Sequence, residues 1–238
     1  MTGRGGGAIL RLANVRKRFQ SLRPLRVNDL RIDAGERVAL SGLDAGAAEV
    51  LVNLVTGASL PDEGEVIVFG RATSSISDGD EWLASLDRFG IVSPRAVLLD
   101  GASLLQNLVM PLTLAIDPIP ADAGEKARAL AAEAGILDEW LDRPVAALPA
   151  PVRARAHLVR AVALEPALLV LEHPTVGLEA AEAKRFGETV AGVTLPRNLA
   201  ALMISEDAGF SSAAATRRLT LHAATGNLKT PRRKIFGW

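Results

Sequence analysis

The chain has 238 residues, no cysteine, and 27 Lys and Arg against 27 Asp and Glu, so its formal net charge is zero. Without cysteine it has no disulfide framework and no thiolate zinc site, and His157, His173 and His222 stand too far apart to make a compact metal motif. Neutrality with no basic block in the body of the chain argues against nucleic-acid binding, and no apolar run approaches the roughly 20 residues of a membrane span.

The start of the chain, residues 1–8, reads as a flexible glycine-rich segment without the apolar stretch of a secretory signal, so a cytoplasmic location is expected. Residues 9–15 and 26–32 alternate apolar with polar side chains, as strands with one wet face do, and suggest an antiparallel edge. The runs 37–40, 65–69, 90–92, 168–171 and 199–204 are more continuously apolar and are expected as central strands covered on both faces. Between 47 and 55, Val50, Leu51, Leu54 and Val55 recur at helical spacing, and Gly57 stands where a helix would stop. From about 101 to 165 the pattern is helical throughout, clearest over 125–134 and 152–164, with prolines 144, 149, 151 and 166 as punctuation; a helical subdomain over approximately 95–165 is expected. Short apolar strands alternating with helices make this an α/β protein with a mostly parallel core sheet. Residues 229–238 form a basic tail ending in Ile235, Phe236 and Trp238, with an ordinary flexible tail and a docking segment as the two readings.

Four stretches carry a resemblance: "AGERVALSG", "LVNLVTGASLPDEGEVIVFG", "RARAHLVRAVALEPALLVLEHPTVGLE" and "LTLHAATGNL". Their order and spacing over residues 9–228 resemble the nucleotide-binding subunit of an ATP-binding cassette transporter. The resemblance implies the P-loop NTPase-like ATPase fold of that family, with a helical subdomain inserted in the sheet.

The family's chemistry sits in a composite site, which this chain matches in position and departs from in side chain. A working phosphate loop reads GxxGxGK followed by Ser or Thr: backbone N–H groups wrap the phosphates, the lysine meets the β- and γ-phosphates, and the hydroxyl holds magnesium. Here the stretch runs Gly42, Leu43, Asp44, Ala45, Gly46, Ala47, Ala48, Glu49, Val50, with Ala48 at the lysine and Glu49 at the hydroxyl position. A carboxylate about 5 Å from a phosphate charge at an effective dielectric near 20 costs roughly 3 kcal/mol. Halved by solvent, that is still about a tenfold loss of affinity. A helix starting near Gly46 has free N–H groups that attract an anion, and Asp44 or Glu49 is expected to fill that role from within. Glu172 and His173 fall where the family places the magnesium-orienting aspartate and the glutamate that polarises water. Pro94 falls at the Q-loop glutamine, Glu206 at the switch histidine, and Phe19 at the aromatic that stacks on adenine. The signature LSGGQ is replaced by Leu148, Pro149, Ala150, Pro151 and Val152, which lack the hydroxyl and both glycines.

The resemblance further implies a groove that receives a short helix of a membrane permease, over residues 93–114, with Ser93, Arg95, Leu98, Leu99, Leu104, Leu105 and Met110 as candidate docking residues. The resulting expectation is a degenerate subunit on the cytoplasmic face of a membrane. It would dock on an integral-membrane permease as a homodimer, or as a heterodimer with another such ATPase subunit. No bound cofactor or metal and little or no ATP hydrolysis are expected. An atypical active ATPase that uses ATP and magnesium is a second reading, and a soluble adaptor a third.

Overall fold

The computed structural model describes residues 7–76 and 78–231. In chain order the elements are β1 (Ala8–Lys17), β2 (Leu25–Asp33), β3 (Arg37–Ser41), α1 (Ala45–Val55), β4 (Glu63–Val68), β5 (Arg71–Ala72), α2 (Gly79–Leu86) and β6 (Phe89–Val92). They are followed by α3 (Leu104–Val109), α4 (Ala121–Glu133), α5 (Ala150–Val162), β7 (Leu168–Glu172), α6 (Ala180–Thr194), β8 (Ala200–Ile204), α7 (Ala208–Ala214), β9 (Arg217–His222) and β10 (Asn227–Lys229).

Two sheets form. The larger has the order β10-β9-β3-β8-β7-β6, parallel from β9 to β6, with β10 antiparallel at its edge. Its strands β7 and β8 are buried at every position, as their unbroken apolar runs require. The smaller sheet, β2-β1-β4-β5, is antiparallel. It takes up one stretch that the sequence assigned to the central sheet. Residues 65–68 of that stretch belong to β4, which pairs with β1 and buries Val66 and Val68 while Ile67 stays partly exposed. An apolar side chain on the wet face of an antiparallel strand is indistinguishable in sequence from a buried one.

Among the described residues three apolar cores follow from these layers. One lies between the two sheets and encloses α1 through Ala48, Leu51, Leu54 and Val55. A second covers the opposite face of the parallel sheet with α6 and α7, where Phe186 stacks on Phe210 at 5.9 Å. The third belongs to the insertion, where α3, α4 and α5 pack with Leu98, Ile136, Leu141, Val145 and Leu148 of the segments around them. Helix α5 joins the last two cores, burying Val152, Ala156 and Val159 in one and Leu158 and Val162 in the other. The insertion is not helical throughout: residues 110–120 between α3 and α4 form no helix, and α5 begins at Ala150 with Pro149 as its N-cap. The basic tail expected over 229–238 lies mostly at 232–238, outside the described residues, whereas Lys229 ends β10.

Candidate functional site

The carboxyl ends of β3, β6, β7 and β8 lie side by side, the edge at which open α/β sheets bind their ligands. Each strand delivers a polar group there. After β3 the chain turns through Gly42, whose φ of +89° and distance of 2.4 Å from an ideal Cβ to the Leu221 carbonyl oxygen leave room only for glycine. Its N–H then donates to Glu206 Oε1 at 2.6 Å, and the Leu43 N–H reaches the same oxygen at 3.3 Å. Asp44 caps α1, accepting from the Ala47 N–H at 2.8 Å. The donors of this loop therefore meet two carboxylates of the chain itself. Glu206 supplies one of them, a role the sequence did not give it.

A cation completes the arrangement. The Arg95 guanidinium grips Glu172 with both arms, Nη1 to Oε1 at 3.0 Å and Nη2 to Oε2 at 2.8 Å, and stands 3.4 Å from Glu49 Oε2. Ser93 donates its hydroxyl to Glu172 Oε2 at 2.8 Å. Glu172 is only 3% exposed, and these bonds are what make its burial tolerable. Glu49 thus faces Arg95 and leaves the helix cap to Asp44. Arg95 and Ser93, which the sequence placed in a docking groove, are turned into this cleft instead.

The other predicted residues are placed as follows. Ala48 is fully buried and offers no donor, and Val50 packs half-buried against the core between the sheets. Phe19 lies over Gly46, 3.4 Å from where a Cβ would stand, and closes one wall of a cavity of about 340 Å³ with Arg23, Arg26, Gly42, Asp44 and Leu221. Pro94 is exposed. His173 has a φ of +42°, and its Nε2 is buried without a hydrogen-bond partner. Leu148 and Val152 are buried, while Pro149, Ala150 and Pro151 form the start of α5, which has no side-chain cap. Leu98, Leu104 and Leu105 are corrected: they are interior residues of the helical layer, because the apolar face of α3 is spent on α4 and α5. Leu99 remains half exposed and Met110 partly exposed. Among the described residues no group of three or more His, Asp or Glu is arranged to hold a metal ion.

This architecture is the P-loop NTPase fold in its ATP-binding cassette form. The dimeric post-hydrolysis structure of the ATP-binding cassette MJ0796 matches it with a TM-score of 0.74 and 18% identity, covering 94% of this chain and 99% of that one. CbiO1 from Clostridium perfringens, part of the transporter complex cbiONQ, matches with a TM-score of 0.76 and 17% identity over 90% of this chain and 84% of its own.

No family model matches the sequence. Among curated proteins the chain is similar to the lipoprotein-releasing system ATP-binding protein LolD of Saccharophagus degradans, 29% identical over 84% of this chain and 88% of that protein. It is also similar to LolD of Psychrobacter arcticus, 26% identical over 90% and 96%, and to the ABC transporter ATP-binding protein YxdL of Bacillus subtilis, 26% identical over 84% and 78%.

Proposed function

We propose that the chain is an ATP-binding-cassette subunit of a membrane transporter of the lipoprotein-releasing type, and that its own nucleotide cleft is silent. It docks on a permease and serves assembly or regulation of the complex, paired with a second copy or with a related subunit. The transporter part of this reading is supported by the relatives, which by name are ATP-binding proteins of a lipoprotein-releasing system and of an ABC transporter. The silent part rests on one observation: the carboxylates Asp44, Glu49, Glu172 and Glu206 around the loop are each met by a donor or cation of the chain itself. Glu206 accepts from the Gly42 and Leu43 N–H groups, Asp44 accepts from the Ala47 N–H, and the Arg95 guanidinium sits between the Glu49 and Glu172 carboxylates. Magnesium and a triphosphate do not fit this set of residues without breaking those bonds. The signature-like turn adds to this, since prolines at 149 and 151 remove backbone donors from the start of α5.

No helix among the described residues is long and apolar enough to cross a membrane. Co-expression with a permease tests the reading. The chain is expected to copurify with the permease in nucleotide-free buffer. ATP turnover by a complex reconstituted from this chain and the permease alone is expected to be absent. Turnover that depends on this chain's own cleft would favour the second reading, an atypical active ATPase.

A further inference from the structure

We propose that the cavity between the β4–β5 hairpin and α2 binds a small carboxylic acid with an apolar body, that Arg88 takes its carboxylate, and that the Thr73 hydroxyl meets a second polar group on the body. The proposal does not rest on the function proposed above. Thr56, the C-cap of α1, lines this cavity, so the eleven residues of α1, about 16 Å of helix, separate it from Asp44 and the nucleotide cleft at the other end.

The cavity holds about 290 Å³, near the lower end of the range for small-molecule sites, and its apolar side is formed by Val68, Phe69, Ala72, Ile76 and Ala84. One of these side chains stands against its own backbone preference. Val68 pairs with Arg71, which leaves Phe69 and Gly70 as a two-residue turn with φ of +53° and +81°. Asn-Gly or Asp-Gly adopts such a turn readily, whereas a phenylalanine in its first position is strained. The ring explains its presence: it packs on Phe89 with centroids 5.0 Å apart, and the Arg88 guanidinium lies 3.9 Å from its centroid. Strain of this kind clusters at ligand sites.

Arg71 and Arg88 both line the cavity, and the chain treats them differently. Arg71 is fully engaged: Nε donates to Ser75 Oγ at 3.0 Å, Nη2 to the Ser75 carbonyl at 2.8 Å, and Nη1 pairs with Glu81, the lining carboxylate. Arg88 is fixed by its stacking, yet among the described residues its guanidinium has no hydrogen bond and no ion pair. A positioned guanidinium with open N–H donors beside apolar walls matches a carboxylate, which two of those donors meet side by side. A second observation concerns Thr73. It is 2% exposed and its hydroxyl has no hydrogen-bond partner, whereas Thr56 and Ser85 of the same lining donate theirs to the Val52 and Trp82 carbonyls. A buried hydroxyl without a partner calls for an explanation, and a hydroxyl or carbonyl on the ligand supplies one.

The probes are para-hydroxyphenylacetate, para-hydroxyphenylacetamide, phenylacetate and acetate, each titrated into the full chain. The Trp82 indole N–H donates to the Thr56 carbonyl at 3.0 Å on the cavity wall, so its NMR signal reports the site. The phenolic acid is expected to move that signal and to leave the signal of Trp140, in the helical layer, in place. Its amide, which lacks the charge, is expected to bind about tenfold more weakly. Phenylacetate is expected to bind several-fold more weakly, and acetate to leave the indole unmoved. Arg88→Gln is expected to abolish the preference for acid over amide. Thr73→Val keeps the shape and removes the hydroxyl; it is expected to leave the free protein at least as stable and to abolish the preference for the phenolic acid over phenylacetate.

An unmoved Trp82 signal, equal affinity for acid and amide, or an acid preference that survives Arg88→Gln would overturn the proposal. So would a Thr73→Val variant that unfolds at a lower temperature and keeps the phenolic preference. Nucleotide takes no part in the titration. Failure here therefore leaves the silent cleft standing, and binding of magnesium-ATP would overturn the silent cleft without touching this cavity.

Discussion

Arg95 shows how one side chain can set the character of a site. It joins three segments far apart in the chain: Glu49 on α1, its own loop after β6, and Glu172 at the end of β7. Removing one partner of a buried ion pair strands the other, at about 3–5 kcal/mol for full burial. Arg95 is 44% exposed, so solvent reduces this, and Arg95→Ala is expected to cost about 2 kcal/mol in denaturant unfolding. Adding Glu172→Gln should recover most of the loss, whereas an unchanged double-mutant deficit would show that Arg95 acts by packing. His157 gives a pH signature. Its folded-state pKa is depressed by burial, Arg160 and Arg153, so its contribution to stability is full above the ordinary value near 6.5 and is lost as pH falls from there through the lowered folded value. His157→Gln is expected to flatten the acid limb of a stability–pH curve measured by thermal unfolding. Neither role was legible in the sequence. Carboxylates at 49 and 172 could be seen, but the cation between them depends on strand order that only the fold supplies.

At the scale of elements, the loop between β3 and α1 gives the Gly42, Leu43 and Ala47 N–H groups to the chain's own carboxylates. Gly42 holds the left-handed turn, Asp44 caps α1, and Glu206 closes the loop from the end of β8. Freeing those donors should restore some affinity for anions. A triple variant, Glu206→Ala with Glu49→Ser and Ala48→Lys, is expected to be slightly less stable than the wild type and to gain measurable phosphate binding by calorimetry. A more stable variant with no gain would contradict the account. The elements that were legible are those whose pattern is unambiguous: β3, β7 and β8 as unbroken apolar runs, and α1 by its periodicity and by Gly57 after it. Helix α6 was missed because it packs small residues, Ala183 and Gly187, beside Phe186 and Val190, so its apolar face is weak in sequence. Gly187 has a packing reason of its own, since an ideal Cβ would stand 2.6 Å from the Phe210 carbonyl oxygen of α7. The buried leucines of α3 were misread for a different reason: periodicity gives the apolar face but not which helix covers it.

Over the whole molecule, the ATP-binding-cassette fold surrounds a cleft in which Arg95 pairs with Glu49 and Glu172. The helical layer is tied to the sheet by α5 and by two surface clasps, Arg197 with Glu133 and Lys126 with Glu165. Resemblance of order and spacing was enough to anticipate this fold; it did not show the internal pairing, because a motif read by position records which groups are missing and not which groups have moved in. The account turns on whether that pairing excludes nucleotide. Isothermal titration of the purified chain with ATP and excess magnesium tests this most directly. The expected result is no saturable heat up to millimolar ATP. Saturable binding with a dissociation constant in the micromolar range would contradict it.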